Sequence, residues 1–123
     1  MTAAAQREFF EDQGYLVLEN FMTTEEVTTC EAEIERLHAF AGSLAEDDPQ
    51  RRNFQIEPYA EVEEQAGKPL LRKIEETQKY SDIFRDLAAH PKLIDRVCTL
   101  LGDDLLLFRS TLMLKPALHG SVH

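Results

Sequence analysis

The ten residues from Leu105 to Leu114 hold seven large apolar side chains between Asp104 and Pro116. A run of that length and composition is stable only where other elements cover it. It reads as a long and largely buried strand, so the rest of the chain has to supply the cover. The best-specified element for that purpose lies upstream. Thr23 followed at the third position by Glu26 makes a capping box, and Met22 before it meets Val27 as a hydrophobic staple, so a helix start is fixed twice over. From there Val27, Cys30, Ile34, Leu37, Ala41 and Leu44 recur at steps of three and four and share one face. The opposite face is dominated by Glu and Thr. This predicts an amphipathic helix lying on a sheet or on another helix, with too few heptads for a coiled coil.

The remaining signals are shorter. Thr2 to Asp12 is a short helix that stops at Gly14, a residue suited to the left-handed end conformation. Tyr15 to Glu19 is expected as a strand from its aromatic and β-branched content. Phe54 and Ile56 alternate as a strand, and Leu70 to Ile74 reads as another, with Lys73 in its middle. Ser81 to Ala89 and Pro91 to Leu101 are two helices, the second opened by Pro91, closed by Gly102 and facing the core with Leu93, Ile94, Val97 and Leu101. With no repeat, low-complexity tract or linker, residues 1–123 are expected to form one domain of mixed helix and strand, an α+β fold.

Charge narrows the partners. Thirteen Lys and Arg against 23 Asp and Glu leave a net charge of −10, which repels a phosphate backbone and an anionic membrane alike. No apolar run approaches the ~20 residues of a spanning helix, and Met1 to Gly14 carries Arg7, Glu8, Glu11 and Asp12 where a secretory signal has an apolar core. A cytoplasmic protein is expected. Cys30 and Cys98 lie in helix-like segments without C-x-x-C spacing, which predicts reduced, buried thiols.

Glycine-rich phosphate loops and nucleophile elbows are missing, and two features carry what chemistry there is. In the long strand, alternation sets Leu106, Phe108, Ser110, Leu112 and Leu114 on one face and Arg109, Thr111, Met113 and Lys115 on the other. The second face either points polar atoms into an enclosed space or is simply solvated. In the tail, His119 and His123 stand four apart, but Pro116 and Gly120 oppose a helix there and the tail offers no carboxylate, so no metal site is assigned.

Five segments in order carry a resemblance. They are Arg-Glu-Phe-Phe-Glu-Asp-Gln-Gly-Tyr-Leu-Val-Leu-Glu-Asn-Phe at 7 to 21, the capped helix, Lys73-Ile74, His90-Pro91 with a helix ending at Gly102, and Arg109-Ser-Thr-Leu-Met-Leu-Lys-Pro116. Together they resemble the N-terminal part of the phytanoyl-CoA dioxygenase family along nearly the whole chain. The resemblance implies a non-haem Fe(II) and 2-oxoglutarate-dependent dioxygenase that hydroxylates a small organic or acyl substrate. It also implies a double-stranded β-helix (jelly-roll, cupin-like) fold, present here as N-terminal helices plus the first strands. In that family the H-x-D pair that opens the 2-His-1-carboxylate metal triad follows the Lys-Pro strand and its turn, a position just past His123. The expectation is therefore a fragment that lacks metal ligands and catalytic residues, binds neither iron nor 2-oxoglutarate by itself and is inactive alone.

Two cofactor positions carry over from the resemblance. Lys73 matches a lysine that contacts 2-oxoglutarate, and Thr111 matches a strand position lining the same pocket. An ammonium suits a dicarboxylate, although Lys73 also has Arg72, Glu75 and Glu76 beside it and an ordinary salt bridge has the same sequence. Along a regular strand Arg72 is expected to face away from Lys73. The rival reading is a small acidic interaction module without catalytic ancestry, in which the long strand and the 27 to 44 helix face bury each other. For the fragment, open strand edges predict self-association.

Overall fold

The computed structural model describes residues 1–56 and 71–114. Helix α1 (Ala3–Gln13) is opened by the Thr2 hydroxyl, which accepts from Ala5 N, and closed by Gly14 at φ 81°. Helix α2 (Thr24–Ser43) has the full capping box: Thr23 Oγ1 accepts from Glu26 N at 3.1 Å, and Thr23 N donates to Glu26 Oε1 at 2.9 Å. A 3-10 turn (Pro49–Asn53) leads into β1 (Phe54–Ile56). After it come β2 (Leu71–Glu75), a second 3-10 turn (Thr77–Lys79), α3 (Asp82–Ala88), α4 (Pro91–Leu101) and β3 (Thr111–Met113). The described strands form one antiparallel sheet in the order β1-β2-β3.

The core lies where α2 covers one side of this sheet. Leu37, Leu71 and Ile74 are fully buried, with Ala41 and Phe54 beside them and Phe40, Leu44, Tyr80, Phe84, Leu112 and Leu114 packed around. Leu71 and Ile74 are three apart, a spacing that puts residues of a regular strand on opposite faces. A bulge reconciles them. Phe54 pairs with Ile74 and Gln55 with Lys73, but Ile56 pairs with Leu71, so Arg72 is the extra residue and both Leu71 and Ile74 reach the core. Each such apolar side chain taken out of water contributes about 1.5–3 kcal/mol.

Polar ties fix the helices to the turn after β2. Arg36 grips Glu33 and donates to the Tyr80 carbonyl at 2.7 Å, while Ser81 caps α3 by accepting from Phe84 N. Thr77, 1% exposed, donates to the Ile74 carbonyl and accepts from Leu112 N, locking the turn to β3. Glu33 is buried on α2, although its position reads as part of the polar face.

Three expectations are corrected. Tyr15 to Glu19 is not a strand: Tyr15 and Val17 are exposed while Leu16 and Leu18 are half-buried, so the alternation is there but no strand pairs with it among the described residues. The run from Leu105 to Leu114 is strand only over β3, and Leu106 and Phe108 are 97% and 91% exposed. Its second half meets β2 and its first half meets no strand among the described residues, so the apolar content alone does not bury it. Ile94 and Leu101 of α4 are likewise exposed, since α4 packs mainly on α1, where Arg96 donates to Gln6 at 2.8 Å. No helix among the described residues is long and apolar enough to cross a membrane.

Candidate functional site

The β2–β3 ladder sorts the chemistry. Lys73 pairs with Met113, Ile74 with Leu112 and Glu75 with Thr111. Directly opposed residues point to the same side of a sheet, so Ile74 and Leu112 face α2 and the core. Lys73, Glu75, Thr111 and Met113 share the other face. The two residues singled out for the cofactor are thereby brought onto one surface, as diagonal neighbours on adjacent strands, a separation of roughly 7–8 Å.

Lys73 is mostly buried, at 22% side-chain exposure, and its Nζ lies 2.6 Å from Glu75 Oε1. That hydrogen bond, followed by the lysine charge, holds the Glu75 carboxyl below its usual range, and Arg109 adds to the same effect. An ammonium has three donors, so the Glu75 contact leaves capacity for an incoming carboxylate. Thr111 offers the complementary feature: its Oγ1 is buried and has no hydrogen-bond partner among the described residues. An orphaned buried hydroxyl costs about 1–3 kcal/mol. It is the kind of group a bound ligand satisfies. Beside it, a cavity of about 300 Å³ is lined by Glu75, Glu76, Gln78, Arg109, Ser110 and Thr111. Gln78 Oε1 is also buried without a partner.

Sequence reasoning placed Arg72 on the opposite face from Lys73. Arg72 is the bulge residue against β1, with its Nε buried and its carbonyl accepting from Leu114 N at 2.8 Å. It is part of the packing and not an inert surface charge. Gln78 was missed as a candidate, since a glutamine in a polar turn has no signature in sequence. His119, His123 and Lys115 lie outside the described residues. Among the described residues no three His, Cys, Asp or Glu side chains gather into a metal-binding group.

A second cavity of about 300 Å³ lies between α2 and α3, lined by Met22, Glu26, Cys30, Ile83, Leu87 and His90 among others. His90 caps α4 by accepting from Lys92 N at Nδ1, which leaves Nε2 as the protonated nitrogen facing Glu26 Oε2 at 2.8 Å. The hydrogen bond that the Glu26 carboxylate accepts from Thr23 N is the main reason that this carboxyl sits below its usual range, and burial pushes the Cys30 thiol up. Both nitrogens of His90 are thus committed to holding helix starts together.

The family model for phytanoyl-CoA dioxygenase matches residues 10–123. This chain belongs to the phytanoyl-CoA dioxygenase family. A relative from Stutzerimonas stutzeri, named as a probable alpha-ketoglutarate-dependent hypophosphite dioxygenase, is 30% identical over 118 residues, which are 94% of this chain and 38% of the relative. The chain therefore spans well under half the length of that relative. No solved structure matches it. Membership of the phytanoyl-CoA dioxygenase family favours an oxygenase origin over an interaction module without catalytic ancestry. For a 2-oxoglutarate carboxylate, the residues present in this family member fit: an ammonium with spare donors and an unsatisfied hydroxyl share one sheet face.

Proposed function

We propose that this chain is part of a non-haem Fe(II) and 2-oxoglutarate-dependent dioxygenase acting on a small molecule. In that enzyme it supplies the outer helices and first strands of a double-stranded β-helix. The observation that carries the reading is the shared face of β2 and β3, with Lys73 and the unpartnered Thr111 hydroxyl turned away from the helix-covered core. On this reading the face lines the interior of the oxygenase. Lys73 binds a carboxylate of 2-oxoglutarate, Glu75 holds the ammonium in place until it does, and Thr111 lines the same pocket. Iron in such enzymes supplies the oxidising chemistry. Its ligands are assigned to sequence beyond the residues described, so the chain alone is expected to hold neither iron nor cosubstrate and to be inactive.

The test starts with the reading frame downstream of codon 123, where an in-frame H-x-D within a few codons is expected. In the protein that carries it, Lys73→Ala removes a charge-assisted contact worth ~1.5–3 kcal/mol and raises the 2-oxoglutarate KM by about tenfold or more. Arg85, which pairs with Asp82 on the exposed side of α3, is the control, and its replacement by Ala leaves that KM unchanged. A stop codon in place of the motif, or equal effects at positions 73 and 85, would overturn the reading.

A further inference from the structure

The charges around the cavity beside Thr111 do not cancel. Its two carboxylates are already engaged: Glu75 by Lys73 at 2.6 Å and Glu76 by Lys79 at 2.8 Å. Arg109, in the same wall, has neither ion-pair nor hydrogen-bond partners among the described residues, and its guanidinium carbon rests 5.3 Å from the centre of the Phe108 ring. One uncommitted positive charge therefore faces the cavity, in a molecule whose net charge is −10. A guanidinium is a planar fork that matches an anion with two oxygens on one atom. Two polar groups lie ready beside it. Thr111 Oγ1 is buried and lacks an acceptor, and the Gln78 amide, whose oxygen is orphaned, presents its NH₂ after a half-turn. The turn that carries Gln78 is held rigidly to β3, since Thr77 N donates to the Ser110 carbonyl and Thr77 Oγ1 accepts from Leu112 N.

We propose that this cavity is a subsite for the singly charged, two-oxygen head of a ligand, a carboxylate or a phosphorus oxyanion, gripped by Arg109 with Thr111 as second donor. At about 300 Å³ it takes a head group and not a long chain. The inference rests on the oxygenase reading only in calling the ligand a substrate. Lys73 does not line this cavity, so the cosubstrate contact and the substrate contact fall on different cations.

Binding is tested on the 123-residue chain itself, by following the backbone amides of Ser110 and Thr111 by NMR at constant ionic strength. Sodium acetate and sodium dimethylphosphinate are the probes, one planar and one tetrahedral, and the tighter of the two identifies the head group. Saturable shifts are expected with at least one of them. Arg109→Gln, a change at an exposed residue that leaves the fold intact, weakens binding about tenfold. Thr111→Val weakens it by a smaller factor, and Arg85→Gln leaves it unchanged. Shifts reproduced by sodium chloride, no saturation with either probe, or an Arg109→Gln variant that binds like the parent would each overturn the subsite. Because no iron chemistry enters the measurement, the oxygenase reading can fail while the subsite stands, and the reverse.

Discussion

On the proposed reading, the Thr111 side chain serves ligand and fold in opposite senses. Its buried, unpartnered hydroxyl destabilises the chain, and valine has the same shape, a methyl in place of the oxygen and a stronger preference for strand. Thr111→Val is expected to raise stability by about 1 kcal/mol, seen as a melting temperature higher by roughly 4 °C for a domain of this size, while weakening ligand binding. A lower melting temperature would mean that the hydroxyl is already satisfied in the fold. Glu33 works the other way. Its hydrogen bonds from Arg36 come first, and with Ser81 and the Arg36 charge they hold its carboxyl below the ordinary value of 4.5, against the opposing effect of burial. A carboxyl lowered on folding contributes stability that is complete above its unfolded value and is lost as the pH falls through the folded one. Glu33→Gln should therefore lower the melting temperature at neutral pH, and the gap to the parent should close progressively as the pH falls below the ordinary carboxyl value of 4.5. A gap that stays constant through that fall would show that Arg36 does not hold the carboxyl.

At the scale of elements, α2 carries the most information and was the most legible. Its cap is written in Thr23 and Glu26, and its inner face in Leu37 and Ala41, because both depend on contacts within a few residues. Replacing Thr23 by Ala is expected to cost about 1 kcal/mol, measured by chemical denaturation. It should also loosen His90, whose partner Glu26 is positioned by the same box. A change well below that figure would mean that packing alone sets the start of α2. The strands were read less well, since a strand exists only where a partner does. Tyr15 to Glu19 and Leu105 to Ser110 have the composition of strands and lack the pairing among the described residues, whereas Thr111–Met113 pairs with β2 and forms one. The bulge at Arg72 was invisible for the same reason, because it is a property of the register between β1 and β2. The candidate face was half legible. Resemblance picked out Lys73 and Thr111, but their common side, the Glu75 bridge and the roles of Arg109 and Gln78 follow from the register and from a turn that no local pattern encodes.

For the whole molecule, the first half of the apolar run from Leu105 to Leu114 is an exposed apolar surface among the described residues. Leu106 and Phe108 are 97% and 91% exposed, with Leu107 at 59% and Leu101 at 65%, next to β3 at the edge of the described sheet. If this chain is part of a larger oxygenase, the rest of that domain covers the run. A solution of the chain alone offers only a second copy. Burying two or three such side chains from each copy contributes roughly 8–12 kcal/mol at about 2 kcal/mol each, against an association cost estimated at about 4–15 kcal/mol. Those magnitudes nearly balance, so weak, concentration-dependent association is expected in place of a tight dimer. The −10 charge on each copy opposes contact at low salt, and screening within a Debye length relaxes that repulsion. Sedimentation at rising protein concentration should therefore show dimers that increase with added salt. The paired change Leu106→Lys and Phe108→Lys should return the chain to monomer at all concentrations, because it removes the apolar gain and leaves the fold, which buries neither residue, intact. A parent chain that stays monomeric at millimolar concentration in high salt would mean that the run folds back on its own molecule.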